Sequence, residues 1–242
     1  MTVRLDVYLT ERALAPSRSQ AAVIIRAGLV KVNDCTVLKC AYPVPPEAVV
    51  SVEPRRAYVS RAGQKLEHAL ERFGIGPAGL SVLDIGASTG GFTECLLTRG
   101  AARVWAVDVG HGQLAQSLRD DPRVVVMEGV NARELRPEQL GWLADMAVID
   151  VSFISQRLIW PALIDCLTER AVIVSLVKPQ FEAGRAAVGK GGIVRDAKTH
   201  RRVIEELTAA AQSSGLAVRE VIASPILGGD GNQEFLMWLR KS

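Results

Sequence analysis

"LSVLDIGASTGGF", Leu80 to Phe92, decides the fold. An apolar run of strand type ends in Asp84 and passes at once into Gly86, Ser88, Thr89, Gly90 and Gly91, and a helical stretch, "GFTECLLTRG", follows. Glycines at a strand-to-helix turn let a ligand approach the backbone, and the free N–H groups of the helix start can receive it. The spacing is GxxxG followed by another glycine, whereas a dinucleotide fingerprint requires GxGxxG. This shape, led by an acid, suits a nucleoside ligand without a pyrophosphate.

Outward from that turn the pattern alternates regularly. A helix, "SRAGQKLEHALERF", precedes it. After it come strand "ARVWAVDV", a short helix near Gln113 to Leu118, and strands "RVVVM" and "DMAVIDV". Helix "SQRLIWPALIDCL" then leads to strand "RAVIVSLV", and a glycine-containing loop runs from Glu182 to Val194. Helix "DAKTHRRVIEELTAAAQSSG" and strands "AVREVIAS" and "EFLMWLR" finish the chain. Near-continuous apolar strands separated by helices predict a doubly wound, mostly parallel α/β sheet.

Four charges fall at the ends of these apolar runs. Asp84, Asp108, Asp150 and Lys178 each close a strand, at the edge where open α/β sheets bind ligands. Asp108, 24 positions after Asp84, stands about where an acid accepts bonds from both ribose hydroxyls of an adenosine. Lys178 is followed by Pro179, which cannot continue a central ladder. Glu234 opens the last strand, and its start shares that edge if the strand runs antiparallel to its neighbours. Lys65, on the helix before the first strand, can reach the same rim. Each residue taken alone reads equally as a solvated strand end or a helix cap; the coincidence favours one shared site. With no activated cysteine, serine–histidine pair or metal spacing in view, the chemistry open to two lysines and two acids is proton handling and electrostatics.

The first sixty residues read differently. "RLDVYLTERALA" and "SRSQAAVIIRAG" have helical spacing, the second opening with a Ser17/Gln20 capping box and closing at Gly28; "LVKVN", an Asn33-Asp34 turn and "AVVSVE" read as short β pieces. This segment carries eight Lys/Arg against five Asp/Glu, so the chain's entire net charge of +3 resides in it, a mild sign of polyanion binding. "YPVPPEA" and "EPRRAYV" mark a boundary, giving a small domain at 1–55, a linker at 56–59 and the α/β domain at 60–242. The four cysteines form no CxxC pair and the three histidines are scattered, so no metal site is expected. No apolar run approaches the roughly 18 residues needed to span a bilayer, and the first residues lack a signal peptide's apolar core. A cytoplasmic protein is expected.

Taken together, "DIGASTGGF", "AVDVGHGQL", "VIDVSFIS", "LVKPQFE", "GKGGIVRD" and "NQEF" closely resemble the TlyA-type rRNA 2′-O-ribose methyltransferases, often called hemolysin A, across essentially the whole chain. The resemblance implies a Rossmann-like methyltransferase sheet whose last strand is antiparallel, with S-adenosyl-L-methionine as cofactor. It also implies a small N-terminal α+β domain of the ribosomal-protein RNA-binding type, with "RAYV" as the linker. It carries the Lys-Asp-Lys-Glu tetrad of FtsJ-like enzymes onto Lys65, Asp150, Lys178 and Glu234, with Lys178 accepting the proton of a ribose 2′-OH. Cofactor contacts are implied for Asp84, Gly86, Ser88, Thr89, Gly90, Phe92, Asp108, Val109, Asn131 and Asp150. RNA contacts are expected at Arg4, Arg18, Lys31, Lys39 and Arg61. The expected partner is rRNA within ribosomal subunits, a cytidine of 23S rRNA in the 50S subunit first because the chain matches the family's shorter form, and 16S rRNA in the 30S subunit second. A non-catalytic ribosome-binding or assembly factor and a cytolysin are the competing readings; the filled tetrad argues against the first and the absence of a spanning segment against the second.

Overall fold

The computed structural model describes residues 2–26, 28–52 and 58–241, and the chain divides into two compact units, 1–57 and 58–242. The expected linker is only partly visible: Arg56 and Ala57 lie outside the described residues, and Tyr58 and Val59 begin the second unit.

In the first unit, β1 (Val3–Arg4) leads into α1 (Leu5–Glu11) and α2 (Arg18–Arg26), followed by β2 (Val30–Val32), β3 (Cys35–Thr36), β4 (Pro43–Val44) and β5 (Val50–Val52). Leu5 and Leu9 of α1 and Ala21 and Ile25 of α2 fall at helical spacing and are fully buried together with Val30. Ser17 Oγ accepts from the Gln20 amide at 3.2 Å, which is half of the capping box. Asn33 and Asp34 both take positive φ, 49° and 61°, the conformation that two-residue hairpin turns demand, and they join β2 to β3.

The second unit opens with α3 (Ala62–Phe73) and then alternates: β6 (Ser81–Ile85), α4 (Gly91–Thr98), β7 (Arg103–Asp108), α5 (Gln116–Arg119), β8 (Val124–Glu128), β9 (Ala144–Ile149), α6 (Trp160–Asp165), β10 (Leu167–Val177), α7 (Pro179–Glu182), α8 (Ala197–Ser213), β11 (Leu216–Ala223) and β12 (Phe235–Lys241). The sheet order is β11-β12-β10-β9-β6-β7-β8; β10, β9, β6, β7 and β8 are parallel and β12 runs against both its neighbours. Successive strand residues face opposite sides. Val82, Val104, Val148 and Val174 pack with α3 and α4, while Leu83, Trp105, Ala147 and Ile173 pack with α6 and α8. The chain leaves β6 toward β7 on one side and returns to β9 on the other, so the crevice between β6 and β9 is the topological switch point.

Two expected elements are refined. The helix anticipated from Ser155 onward is a 3-10 turn, Gln156–Leu158, followed by α6 with Pro161 in its first turn, where its missing N–H costs nothing. Pro179 does more than end β10, since it occupies the first position of α7 and starts that helix.

Candidate active site

Register alone brings distant residues to one edge. Ile85 is paired with both Val107 and Ile149, so Gly86, Asp108 and Asp150 leave the sheet at one level. Val177 is paired with Phe235 on antiparallel β12, so Glu234, one residue before Phe235, arrives beside Lys178, one residue after Val177. Lys65 reaches this edge from α3, the helix on that face of the sheet.

The side chains then form two ion pairs. Lys178 Nζ lies 2.7 Å from Asp150 Oδ1 and donates to Ser152 Oγ at 2.9 Å. The Asp150 contact is off the hydrogen-bond direction, for Oδ1 accepts no aligned donor. Lys65 donates to Glu234 Oε2, and this second pair is buried, Lys65 being 8% and Glu234 2% exposed. The loop after β9 is locked to α7: Ser155 Oγ and the Gln156 amide both donate to Glu182, at 2.6 and 3.0 Å. Burial raises the Glu182 carboxyl above its usual value. The residues that follow Asp150 and those that follow Lys178 therefore keep one geometry.

Two cavities meet at this edge. One, of about 280 Å³, is lined by Ser60, Arg61, Ala62, Lys65, Gly86, Ala87, Ser88, Thr89, Gly91, Phe92, Asp150, Ser152 and Lys178. The other, of about 540 Å³, lies over the switch point and includes Gly86, Ser88, Asp108, Val109, Asn131 and Asp150. Gly86, Ser88, Asp150 and Ser152 line both. The shared wall is where a group could pass from one to the other.

The larger cavity suits a nucleoside. Val107, Ile154 and Ile159 give it apolar walls for a base, and the Asp108 carboxylate stands at its rim. Backbone amides of Ser88 and Gly110 donate to Asp108 Oδ2 and Oδ1 at 2.8 and 2.7 Å; each oxygen keeps a lone pair for a sugar hydroxyl. Gly86 has φ +84°, and a Cβ there would strike the Asp150 carbonyl, so no other residue fits this turn without moving the β9 loop. Ser88 shares the left-handed region at φ 48°.

Four expected cofactor contacts depart from this picture. Asp84 lines neither cavity: it is fully buried on the α4 side of β6, where Thr93 Oγ1 donates to its Oδ2 at 2.6 Å and its Oδ1 has no partner. Burial pushes its carboxyl up to about 7. Gly90, with φ +99°, packs against Leu114 and Leu118 and lines neither cavity. Thr89 and Phe92 line only the smaller cavity, on the lysine side.

In the first unit, Arg4 and Arg18 converge on one carboxylate, Asp6, at 3.0 and 3.1 Å, and hold it down to about 2. Lys39 is exposed and Lys31 half-buried on β2. Arg61 lies in the second unit and lines the lysine-side cavity.

Sequence reasoning missed Ser152 and Phe153. Phe153 is 90% exposed, takes φ +64°, and sits 5.0 Å from the ring of Phe181 at the rim of the larger cavity. An exposed aromatic in a left-handed conformation is a pointer to function. Both residues lie inside the quoted stretch "VIDVSFIS", but neither side chain carries a charge or a spacing that separates it from ordinary loop residues.

A seven-stranded sheet of this order with a switch-point cavity is the framework of the Rossmann-like methyltransferases. At the level of fold alone it matches a solved S-adenosylmethionine-dependent methyltransferase from Mesorhizobium loti, with TM-score 0.54 and 15% identity over 73% of this chain and 97% of that one. Residues 58–241 match the FtsJ-like methyltransferase family and residues 3–50 the S4 domain; the chain belongs to the FtsJ-like methyltransferases and carries an S4 domain at its N-terminus. It is 50% identical, over 98% of its length and 89% of the relative's, to the 16S/23S rRNA (cytidine-2′-O)-methyltransferase TlyA of Mycobacterium tuberculosis. It is 43% identical to Hemolysin A of Brachyspira hyodysenteriae, over 97% and 98% of the two chains. With the 23S rRNA (cytidine-2′-O)-methyltransferase TlyA of Campylobacter jejuni it shares 35% identity over 76% and 72%. A solved protein from Streptococcus thermophilus, provisionally described as a hemolysin, superposes with TM-score 0.76 at 43% identity, over 100% of this chain and 89% of that one. Among the described residues no helix is long and apolar enough to cross a membrane.

Proposed function

We propose that this chain methylates the 2′-hydroxyl of an rRNA cytidine in the cytoplasm, using S-adenosyl-L-methionine, and that the 23S rRNA of the 50S subunit is its first target, with 16S rRNA of the 30S subunit second. The observation that carries the reading is the Lys178–Asp150 pair on the wall shared by a nucleoside-sized cavity and a lysine-lined one. Both related cytidine methyltransferases have 23S rRNA in their names, which supports the order of targets.

Bound in the larger cavity, the cofactor supplies an electrophilic methyl group on a sulfonium. Asp108 accepts from its ribose hydroxyls, and the Gly86–Gly91 turn leaves room for it. Lys178 Nζ, once its ammonium has released a proton to solvent, takes the proton of the target 2′-OH as that oxygen attacks in line, accepting the methyl group and leaving the electron pair of the broken bond on the cofactor's sulfur. Asp150 and Ser152 hold the amine at the shared wall, which converts a bimolecular encounter into a fixed approach. Lys65, neutralised by Glu234, fixes the far side of the smaller cavity. The exposed ring of Phe153 offers a face on which an extruded base can lie. Arg4, Arg18, Lys31, Lys39 and Arg61 contact RNA phosphates and sugars, which position without reading sequence.

The test is to incubate the protein and labelled cofactor with separate 50S and 30S subunits and with naked rRNA, and to map 2′-O-methyl marks. A new mark on a cytidine is expected. Transfer to none of the three would overturn the reading.

A further inference from the structure

Residues 183–195 contain Arg185, Lys190 and Arg195 and no acidic residue. The acids that flank this loop are both engaged by other groups, Glu182 half-buried and Asp196 exposed. Glu182 accepts from Ser155 and Gln156, and Asp196 caps α8 by accepting from the amides of Lys198 and Thr199 at 3.2 and 3.0 Å. All three cations are exposed, and none of their side chains makes an ion pair or hydrogen bond. Elsewhere among the described residues, Arg4, Arg18, Arg99, Arg119, Arg123, Arg157 and Arg202 each lie against a carboxylate. Exposed Arg170, Arg201 and Arg219 are unpaired as well, but only singly, whereas this loop gathers three such cations within eleven positions with no acid between them.

The loop is nevertheless anchored. Asn232, fully buried, accepts from the Val194 amide at 2.9 Å and donates to the Gly192 carbonyl at 3.0 Å, while His200 Nε2 lies 2.9 Å from the Val194 carbonyl. Hydrogen bonds from the Gly189 amide to the Ile193 carbonyl and from the Gly192 amide to the Gly189 carbonyl, each 3.1 Å, close a tight turn with Lys190 at its tip. Gly191 and Gly192 have no atom within 4 Å of where a Cβ would stand, so the apex projects clear of the unit. The loop is also tied to the site at both ends. It leaves α7, which starts directly after Lys178, and Asn232 stands two residues before Glu234.

We infer that this loop is the methyltransferase unit's own phosphate-binding surface, on which Arg185, Lys190 and Arg195 hold the RNA backbone that flanks the target ribose. The inference rests on the rRNA reading above. Firm anchoring with exposed, unpaired charge is what a polyanion contact requires: the loop loses little entropy on binding, and each phosphate it neutralises releases a counterion.

The test measures rRNA binding by the full chain as a function of salt, on a naked rRNA fragment and on intact subunits. A variant carrying Arg185→Ala, Lys190→Ala and Arg195→Ala should lower the slope of log K against log salt by about 2 to 3 and weaken binding on the order of 10- to 100-fold near 0.1 M salt. S-adenosyl-L-methionine binding and the melting temperature should stay as in the unaltered chain. Arg170→Ala is the control: Arg170 is exposed on β10, eight residues before Lys178 and toward the opposite edge of the sheet, and should leave the slope unchanged. An unchanged slope in the triple variant would overturn the inference. So would weakened binding to subunits with none to naked rRNA, which would assign the loop to a ribosomal protein. If the unaltered chain shows no salt-dependent rRNA binding, the rRNA reading itself fails and takes this inference with it.

Discussion

Lys65 and Glu234 stand 169 positions apart in the chain, yet they form the most buried ion pair among the described residues, side by side at the edge where Asp150 and Lys178 emerge. Desolvating two charges is costly, and their attraction repays it only while both are present. Lys65→Met or Glu234→Leu alone should therefore destabilise the chain by about 3–5 kcal/mol, because each leaves an uncompensated buried charge. The double replacement should recover most of that loss in urea unfolding and still transfer no methyl groups. Recovery of activity along with stability would show that the pair serves only the fold.

Lys178→Arg should fold, bind S-adenosyl-L-methionine and lose methyl transfer by at least a hundredfold. The guanidinium keeps the positive charge beside Asp150 but does not give up a proton at usable pH. Single-turnover transfer at saturating cofactor checks this, and near-normal rates would remove Lys178 from the role of base.

Asp84 gives a pH dependence with a definite sign. Its carboxyl is raised to about 7 in the folded chain, above the unfolded value, so the folded state binds the extra proton between those limits. Its contribution is fully present below about pH 4 and is lost as pH rises through about 7, by on the order of 4 kcal/mol. Asp84→Asn should flatten that part of the curve. The comparison is the change in urea midpoint between pH 5 and pH 8 in the two proteins; identical changes would contradict it.

Arg4 and Arg18, held side by side by Asp6, should act as a two-charge clamp for RNA. Arg4→Gln and Arg18→Gln should each weaken rRNA binding across all sequences and reduce the salt slope by about one, with cofactor binding untouched. Loss confined to one RNA sequence would instead indicate base reading.

The parts of this molecule most legible in its sequence were those set by strand ends. Asp108, Asp150 and Lys178 could be placed because each interrupts an apolar run where a parallel sheet must open; the glycine turn was readable as a place where a ligand approaches the backbone, whereas the closeness of Gly86 to the Asp150 carbonyl was not. Glu234 was readable only on the condition that its strand ran antiparallel, a fact that resides in β12's pairing and not in "EFLMWL" itself. Asp84 looked identical to the other strand-end acids. Only the pleat, which turns it toward Thr93, removes it from the cavities. Ser152 and Phe153 acquire meaning through contacts with Lys178 and Phe181, 26 and 28 positions later, and no local pattern encodes such a pairing.

The placement of β12 also bears on when this protein becomes competent. Among the described residues it follows every other strand, yet it lies between β10 and β11. During synthesis the earlier strands can pair while Glu234 is still to come, leaving Lys65 without its counter-ion and β10 with an open edge. The four-residue edge is therefore incomplete in any nascent chain that stops short of Glu234. The exposed β10 edge makes the unfinished chain the stage most prone to mispairing.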